Sequence, residues 1–250
     1  MTSLWPEKDG RRWPIAGEGG LRMRELESRI LERITELECS LRPQLALSNA
    51  SDQGANSIAG GGSDAAEHTE SCLSVILRST GVSDFTFRRV PLDYYQRTLE
   101  ERREILGAYS VHHLCKSIVM VNTQAPANVT DCGDHTNSKY YVVIVQYIAR
   151  LNAESIKNFL YALNNQKIPK KRFNLRLAPE EESLKLTGFV HNAVTCVNMK
   201  ANIPVILDEA IAKLQPDFFW LGGGEVDLKL GIRTPQFINA FKPFLVSCSS

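Results

Sequence analysis

Apolar positions along the 250-residue chain follow two different rules. Between 21 and 41 they recur at helical spacing, with Met23, Leu26, Ile30, Ile34, Leu37 and Leu41 separated by charged residues, which predicts an amphipathic helix. The stretch is too short for the heptad run of a long coiled coil, and Pro43 marks its end. Residues 47–70 are rich in Ser, Gly, Asn and Ala; such a segment buries too little apolar surface to offset its ordering entropy and is expected to be a flexible linker. From residue 71 onward the apolar runs are short. They predict strands at 85–90, 117–122, 140–147, 173–177, 204–207, 218–221 and 226–230. Helical spacing covers 92–106, 153–163, 179–186 and 234–241, the third opening on Pro179 and three glutamates, which suit a helix start. This irregular alternation predicts an α/β mixed (α+β) fold, a central mixed β-sheet flanked by helices, rather than a clean βαβ repeat. The expected organisation is an N-terminal extension at 1–46, the linker at 47–70 and one domain at 71–250.

Composition narrows the class. Hydrophobic residues at 43% and charged residues at 23% are those of an ordinary soluble globular protein, and no apolar run approaches the ~18 residues of a membrane span. The first twenty residues lack a continuous apolar core, so no secretory signal is expected. Six cysteines occur without a C-x-x-C pair, which reads as free thiols and a cytoplasmic location. The net charge of +1 hides an acidic surplus before residue 85 and a basic one after it. Lys167, Lys170, Lys171, Arg172 and Arg176 fall in ten residues without an acid; such a run is either a solvated connection or a patch for a polyanion.

Three glycines, Gly222 to Gly224, stand between two apolar runs. A phosphate-binding loop would be followed by a helix, whereas "EVDLKLGI" alternates with period two, so the glycines belong to a strand–turn–strand unit. Lys116 precedes a β-branched strand; it either snorkels at a strand end or serves as a positioned cation for a substrate group. His112, Cys115, Cys132 and His135 have a spacing compatible with tetrahedral zinc, against which Cys115 has the surroundings of a small buried thiol. No nucleophile elbow is present, and His191 and Cys196 read as a structural histidine and an inert thiol. No cofactor is expected.

Several segments taken together, in order, resemble the YbaK/prolyl-tRNA-synthetase-associated domain family, the free-standing or inserted deacylases of mischarged aminoacyl-tRNA. They are "LCKSIVMV", "YYVVIVQYIARLNAESIKNFL", "KRFNLRLAPEEESLKLTG", "HNAVTCVNMKANIPVILDEAI" and "FFWLGGGEVDLKLGIRTPQFI", spread over roughly 71–246. The resemblance implies that Lys116 is the functional lysine and that Gly222, Gly223 and Gly224 line an aminoacyl pocket. It implies hydrolysis by positioned substrate and water rather than by a protein nucleophile. The single-stranded acceptor end of a tRNA would enter the pocket, with Lys167, Lys170, Lys171 and Arg172 as candidates for its body. The family's substrate loop commonly reads Gly-x-x-x-Pro-Phe-Gly, and here Asn192, Ala193, Val194, Thr195, Cys196, Val197 and Asn198 stand in its place. An asparagine or a β-branched residue lacks glycine's backbone range, so the pocket formed by Asn192, Thr195, Cys196 and Asn198 is expected to be altered. The leading expectation is a trans-acting deacylase. The alternative is a non-catalytic tRNA- or synthetase-binding module, with the 21–41 helix docking on a synthetase or on a second copy.

Overall fold

The computed structural model describes residues 62–249, and the amphipathic 21–41 helix and the stretch 1–61 lie outside them. The chain opens on helix α1, Gly62–Ser79, followed by β1, Phe85–Arg89, and α2, Leu99–Leu106. Next come β2, Cys115–Asn122; β3, Tyr140–Gln146; α3, Ala153–Leu163; β4, Leu175–Leu177; and α4, Glu180–Thr187. The last third holds β5, Val205–Asp208; the short α5, Glu209–Ala212; β6, Phe218–Gly222; β7, Leu228–Arg233; α6, Thr234–Phe241; and β8, Phe244–Val246.

The strands form two ladders. A mixed five-stranded sheet runs β4-β2-β3-β5-β8, and an antiparallel three-stranded one runs β1-β7-β6. A single parallel bridge between Leu114 and Trp220 joins them. β2 is antiparallel to β3 and β4, while β5 is parallel to both β3 and β8. All seven residues of β3 are buried, because helices or loops cover both of its faces and every side chain meets a core. One core gathers Val142, Ile144, Leu207, Phe219, Leu221, Leu230 and Phe237. Another gathers Tyr141, Val143, Val145, Ile156 and Leu160 beneath α3. A third, with Tyr94, Leu106, Leu114 and Trp220, lies on the outer face of the small sheet.

Local chemistry explains where the elements differ from expectation. The helix expected over 92–106 is a 3-10 turn, Tyr94–Gln96, and then α2, which starts only after Thr98. Thr98 caps it in a reciprocal box with Glu101, and Gly107 ends it at φ +61°. β7 starts at Leu228 rather than Val226 because the Gly223 amide donates to the Leu228 carbonyl and closes the hairpin there. Helix α1 begins inside the stretch 47–70 expected to be linker. Its C-terminal half buries Leu73 and Leu77 in the main core, and the Ala-Ala-Glu run before it extends a helix at little cost once that half is docked. Cys115, Cys132, Cys196 and Cys248 are free and buried. Cys72 is disulfide-bonded, which departs from the expectation of six thiols.

Phe219 is fully buried, with its ring edge-on to Phe237 at 5.2 Å. Phe219→Ala leaves a cavity between β6 and α6 and should cost about 3–5 kcal/mol. Urea unfolding followed by circular dichroism would show it as a lower midpoint with an unchanged slope.

Candidate functional site

A cavity of about 420 Å³ opens where the two sheets meet. Its origin is topological. β3 pairs with β2 from Cys115 to Val121, but β4 covers only Met120 to Asn122 on the opposite edge. The interval 115–118 of that edge has no strand partner among the described residues, and the Leu114–Trp220 bridge holds β6 on its far side. Lys116, Ser117 and Ile118 therefore form one wall, Trp220, Leu221 and Gly222 another, and Asn192 and Val194 a third. Tyr94, Tyr95 and Tyr147 contribute aromatic surface, with the Lys116 Nζ 5.6 Å from the Tyr147 ring centroid. The Ser117 hydroxyl is buried without a hydrogen-bond partner beside Lys116.

The glycines are needed for backbone-on-backbone contact. A Cβ on Gly222 would lie 2.4 Å from the Val194 carbonyl oxygen, and one on Gly223 would lie 2.9 Å from the Leu228 side chain. Gly224 is at φ +92°, with its amide donating to the Ala193 carbonyl at 3.1 Å. Of the three, Gly222 lines the cavity, while Gly223 and Gly224 hold the turn behind it. The space beside Gly222 is filled by the backbone of Ala193 and Val194, that beside Gly223 by Leu228, and that beside Gly224 by the side chains of Phe189, Thr69 and Leu73.

The 192–198 loop keeps a glycine-like backbone without glycine. Asn192 and Asn198 sit at φ +66° and +60°, the left-handed region that asparagine enters more readily than other side-chain-bearing residues. Both ends of the loop therefore turn through a region that glycine enters most freely. Between them, Thr195 and Cys196 point into the core at 0% and 5% exposure, and the Thr195 hydroxyl accepts from the Val197 amide. Burial pushes the Cys196 thiol up to about 12, so it is not a nucleophile at neutral pH. Asn192 lines the cavity, whereas Thr195, Cys196 and Asn198 support the loop from behind.

Other expected residues fall elsewhere. Lys167, Lys170, Lys171 and Arg172 are exposed, the last three on a 3-10 turn before β4, with Lys170 paired to Glu154 at 3.3 Å. The Arg172 carbonyl accepts from the Asn122 side chain, so the turn sits at the far end of β2 from Lys116, about 20 Å away at the rise of a strand. The zinc spacing does not assemble: no group of three or more His, Cys, Asp or Glu capable of holding a metal occurs among the described residues. Cys115 faces the core, as a small buried thiol does. Among the described residues no helix is long and apolar enough to cross a membrane.

Sequence reasoning missed Lys229. It is 4% exposed, lines the cavity, and donates to the Tyr95 hydroxyl at 2.6 Å and the Val226 carbonyl at 2.8 Å. Burial draws it down to about 8, opposed by the nearby Asp227 and assisted by Arg102. Period-two alternation could have placed it opposite the core face of β7, but nothing local distinguishes it from a surface lysine.

The profile of the aminoacyl-tRNA editing domain family matches residues 96–240, which spans β2, the cavity walls, the 192–198 loop and the hairpin. The chain belongs to that family. Among solved structures it is similar to a proposed trans-editing enzyme for prolyl-tRNA synthetase, at 19% identity and TM-score 0.55, covering 73% of this chain and 97% of that one. A hypothetical protein shares the fold at 20% identity and TM-score 0.51 over 70% of this chain and 96% of that one. A scaffold used for epitope backbone grafting does so at 16% identity and TM-score 0.54 over 73% and 97%. No curated protein matches.

Gly222→Ala should displace the 193–194 segment, since neither backbone can yield the missing space cheaply. Amide hydrogen exchange is expected to show faster exchange across 192–198, with a melting temperature lowered by several degrees.

Proposed function

We propose that this protein hydrolyses the aminoacyl ester of mischarged tRNA in trans, with Lys116 as the cation that orients the substrate. The carrying observation is the cavity itself. An open strand edge, a lysine on it and a glycine-backed loop across from it meet within the segment matched by the editing-domain family. Water adds to the ester carbonyl and gives up a proton; the tetrahedral oxyanion collapses, the bond to the ribose oxygen breaks, and that oxygen takes up a proton, leaving the free amino acid and the tRNA hydroxyl. In this reading Lys116 neutralises charge as it develops. The thiol of Cys196, buried and held protonated, offers no competing covalent route. The separation of about 20 Å between Lys116 and the basic turn suits a single-stranded acceptor end in the cavity with the helical stem over Lys167, Lys170, Lys171 and Arg172. Action in the cytoplasm, alone or beside a synthetase, accompanies this reading.

The test is a panel of tRNAs charged with alanine, serine, threonine, cysteine and proline. Hydrolysis of one or two species is expected, reduced at least 100-fold by Lys116→Ala. Full activity in that variant would remove Lys116 from its role. Salt-sensitive tRNA binding without turnover across the panel would instead leave a binding module.

Replacing Lys167, Lys170, Lys171 and Arg172 together by Ala should weaken tRNA binding and flatten its dependence on salt. Each lost phosphate contact removes roughly 0.7–0.9 from the slope of log K against log salt. Filter binding at several salt concentrations, with an uncharged tRNA, reads both effects.

A further inference from the structure

A buried ammonium without a carboxylate partner is costly, and Lys229 is one. Alternation on β7 sends Leu228 and Leu230 into the main core and Lys229 to the opposite face, beneath α2 and the 3-10 turn at Tyr94–Gln96. Its hydrogen-bond acceptors, the Tyr95 hydroxyl and the Val226 carbonyl, are both neutral. The nearest acid, Asp227, pairs instead with Arg89 at 3.0 Å. The faces of Tyr94 and Tyr95, with ring centroids 5.3 and 4.6 Å from its Nζ, compensate the charge in part. Arg88 stands opposite Lys229 on β1 and donates to the Ile105 carbonyl, while Arg102 comes from α2 and lies against the Tyr94, Tyr95 and Tyr147 rings. Glu225 is on the same hairpin and is held by Arg89, and Lys116, His191 and Glu180 line the other walls of the cavity.

What this lysine does is visible one bond further on. The Tyr95 hydroxyl donates to the Asn192 carbonyl at 2.6 Å. A phenol has one proton, so with that proton committed to Asn192 the lysine must be the donor to the phenol oxygen. The result is a directed strut from β7, through the 3-10 turn, to the left-handed residue that opens the 192–198 loop. The hairpin already fixes the same loop from the other side, through the Gly224 amide on Ala193 and the contact of Gly222 with Val194. The loop is thus held from both sides, and Asn192 is the end of it that lines the cavity.

We propose that Lys229 and Tyr95 are a positioning pair that holds the Asn192 end of the loop over the cavity, and that deacylation depends on it. The proposal rests on the editing reading of the same cavity. An ammonium donates more strongly than a neutral amine, so the strut weakens as Lys229 loses its proton. Because burial has drawn that loss down to about 8, the strut is intact below this pH and fades above it.

The experiment compares wild type, Lys229→Met, Tyr95→Phe and the double variant by hydrogen exchange, melting temperature and the pH profile of kcat/KM on the tRNA that wild type hydrolyses. Both single variants are expected to speed exchange at 192–198 and to lower kcat/KM at pH 7 at least tenfold. The double variant should be no worse than Tyr95→Phe alone. Lys229→Met should melt no lower than wild type, since it removes a buried charge, and should lose an inflection near pH 8 that wild type shows. Unchanged exchange in both single variants, or losses that multiply in the double variant, would overturn the proposal. If wild type hydrolyses none of the charged tRNAs, the editing reading fails on that result, while hydrogen exchange still decides whether the pair holds the loop.

Discussion

The antiparallel pairing of β2 with β3 is the constraint that the remaining structure accommodates. β3 is buried on both faces, so it must have cover above and below, and the chain supplies α1 with the later loops on one side and α3 on the other. β2 then carries the boundary. One edge is committed to β3 from Cys115 to Val121, and the other is shared between a three-residue β4 and the second sheet. A longer β4 would have sealed that edge. Its shortness leaves backbone and side chains from 115 to 118 facing a cavity, with Lys116 among them. The site is therefore a consequence of incomplete pairing in an otherwise closed sheet.

The opposite wall follows from the converse, an excess of close approach. Gly222 and Gly223 let one stretch of backbone lie against another at distances that any Cβ would forbid. Asn192 and Asn198 let the facing loop turn through the left-handed region at both ends. Thr195, Cys196 and Val197 then anchor its middle in the core. The loop contains no glycine, proline or phenylalanine. The asparagines carry the backbone angles and the small buried side chains carry the packing.

Legibility in the sequence followed how local the cause was. The apolar run of β3, the Pro179-led helix and the hairpin glycines announce themselves within a few residues, and the structure has an element at each. β8 is three residues long and exists because β5 offers a parallel edge, a cause some forty residues away in sequence. Helix α1 looked like a linker because its first turns are polar and only its second half meets the core. The place of Lys116 at the start of a strand was legible from the segments around it. Lys229 was not, because its burial comes from α2 and the Tyr94–Gln96 turn folding over β7, and those residues lie more than a hundred positions earlier.

That contrast bears on how the cavity is charged. Lys116 and Lys229 both line it, and among its lining residues Glu180 is the only carboxylate. Burial of Lys229 opposes folding, since its ammonium gives up water without a carboxylate countercharge. It also favours any species whose negative charge grows within the walls, because the field is already in place and no solvent must reorganise. A tetrahedral oxyanion is such a species, whereas the ground-state ester is neutral at its carbonyl. The hydrogen bonds that hold Lys229 engage its ammonium through neutral partners and leave the positive charge uncancelled. The cost to stability and, under the proposed hydrolysis, the stabilisation of an anionic transition state would share one physical origin, a positive charge that the cavity compensates only in part.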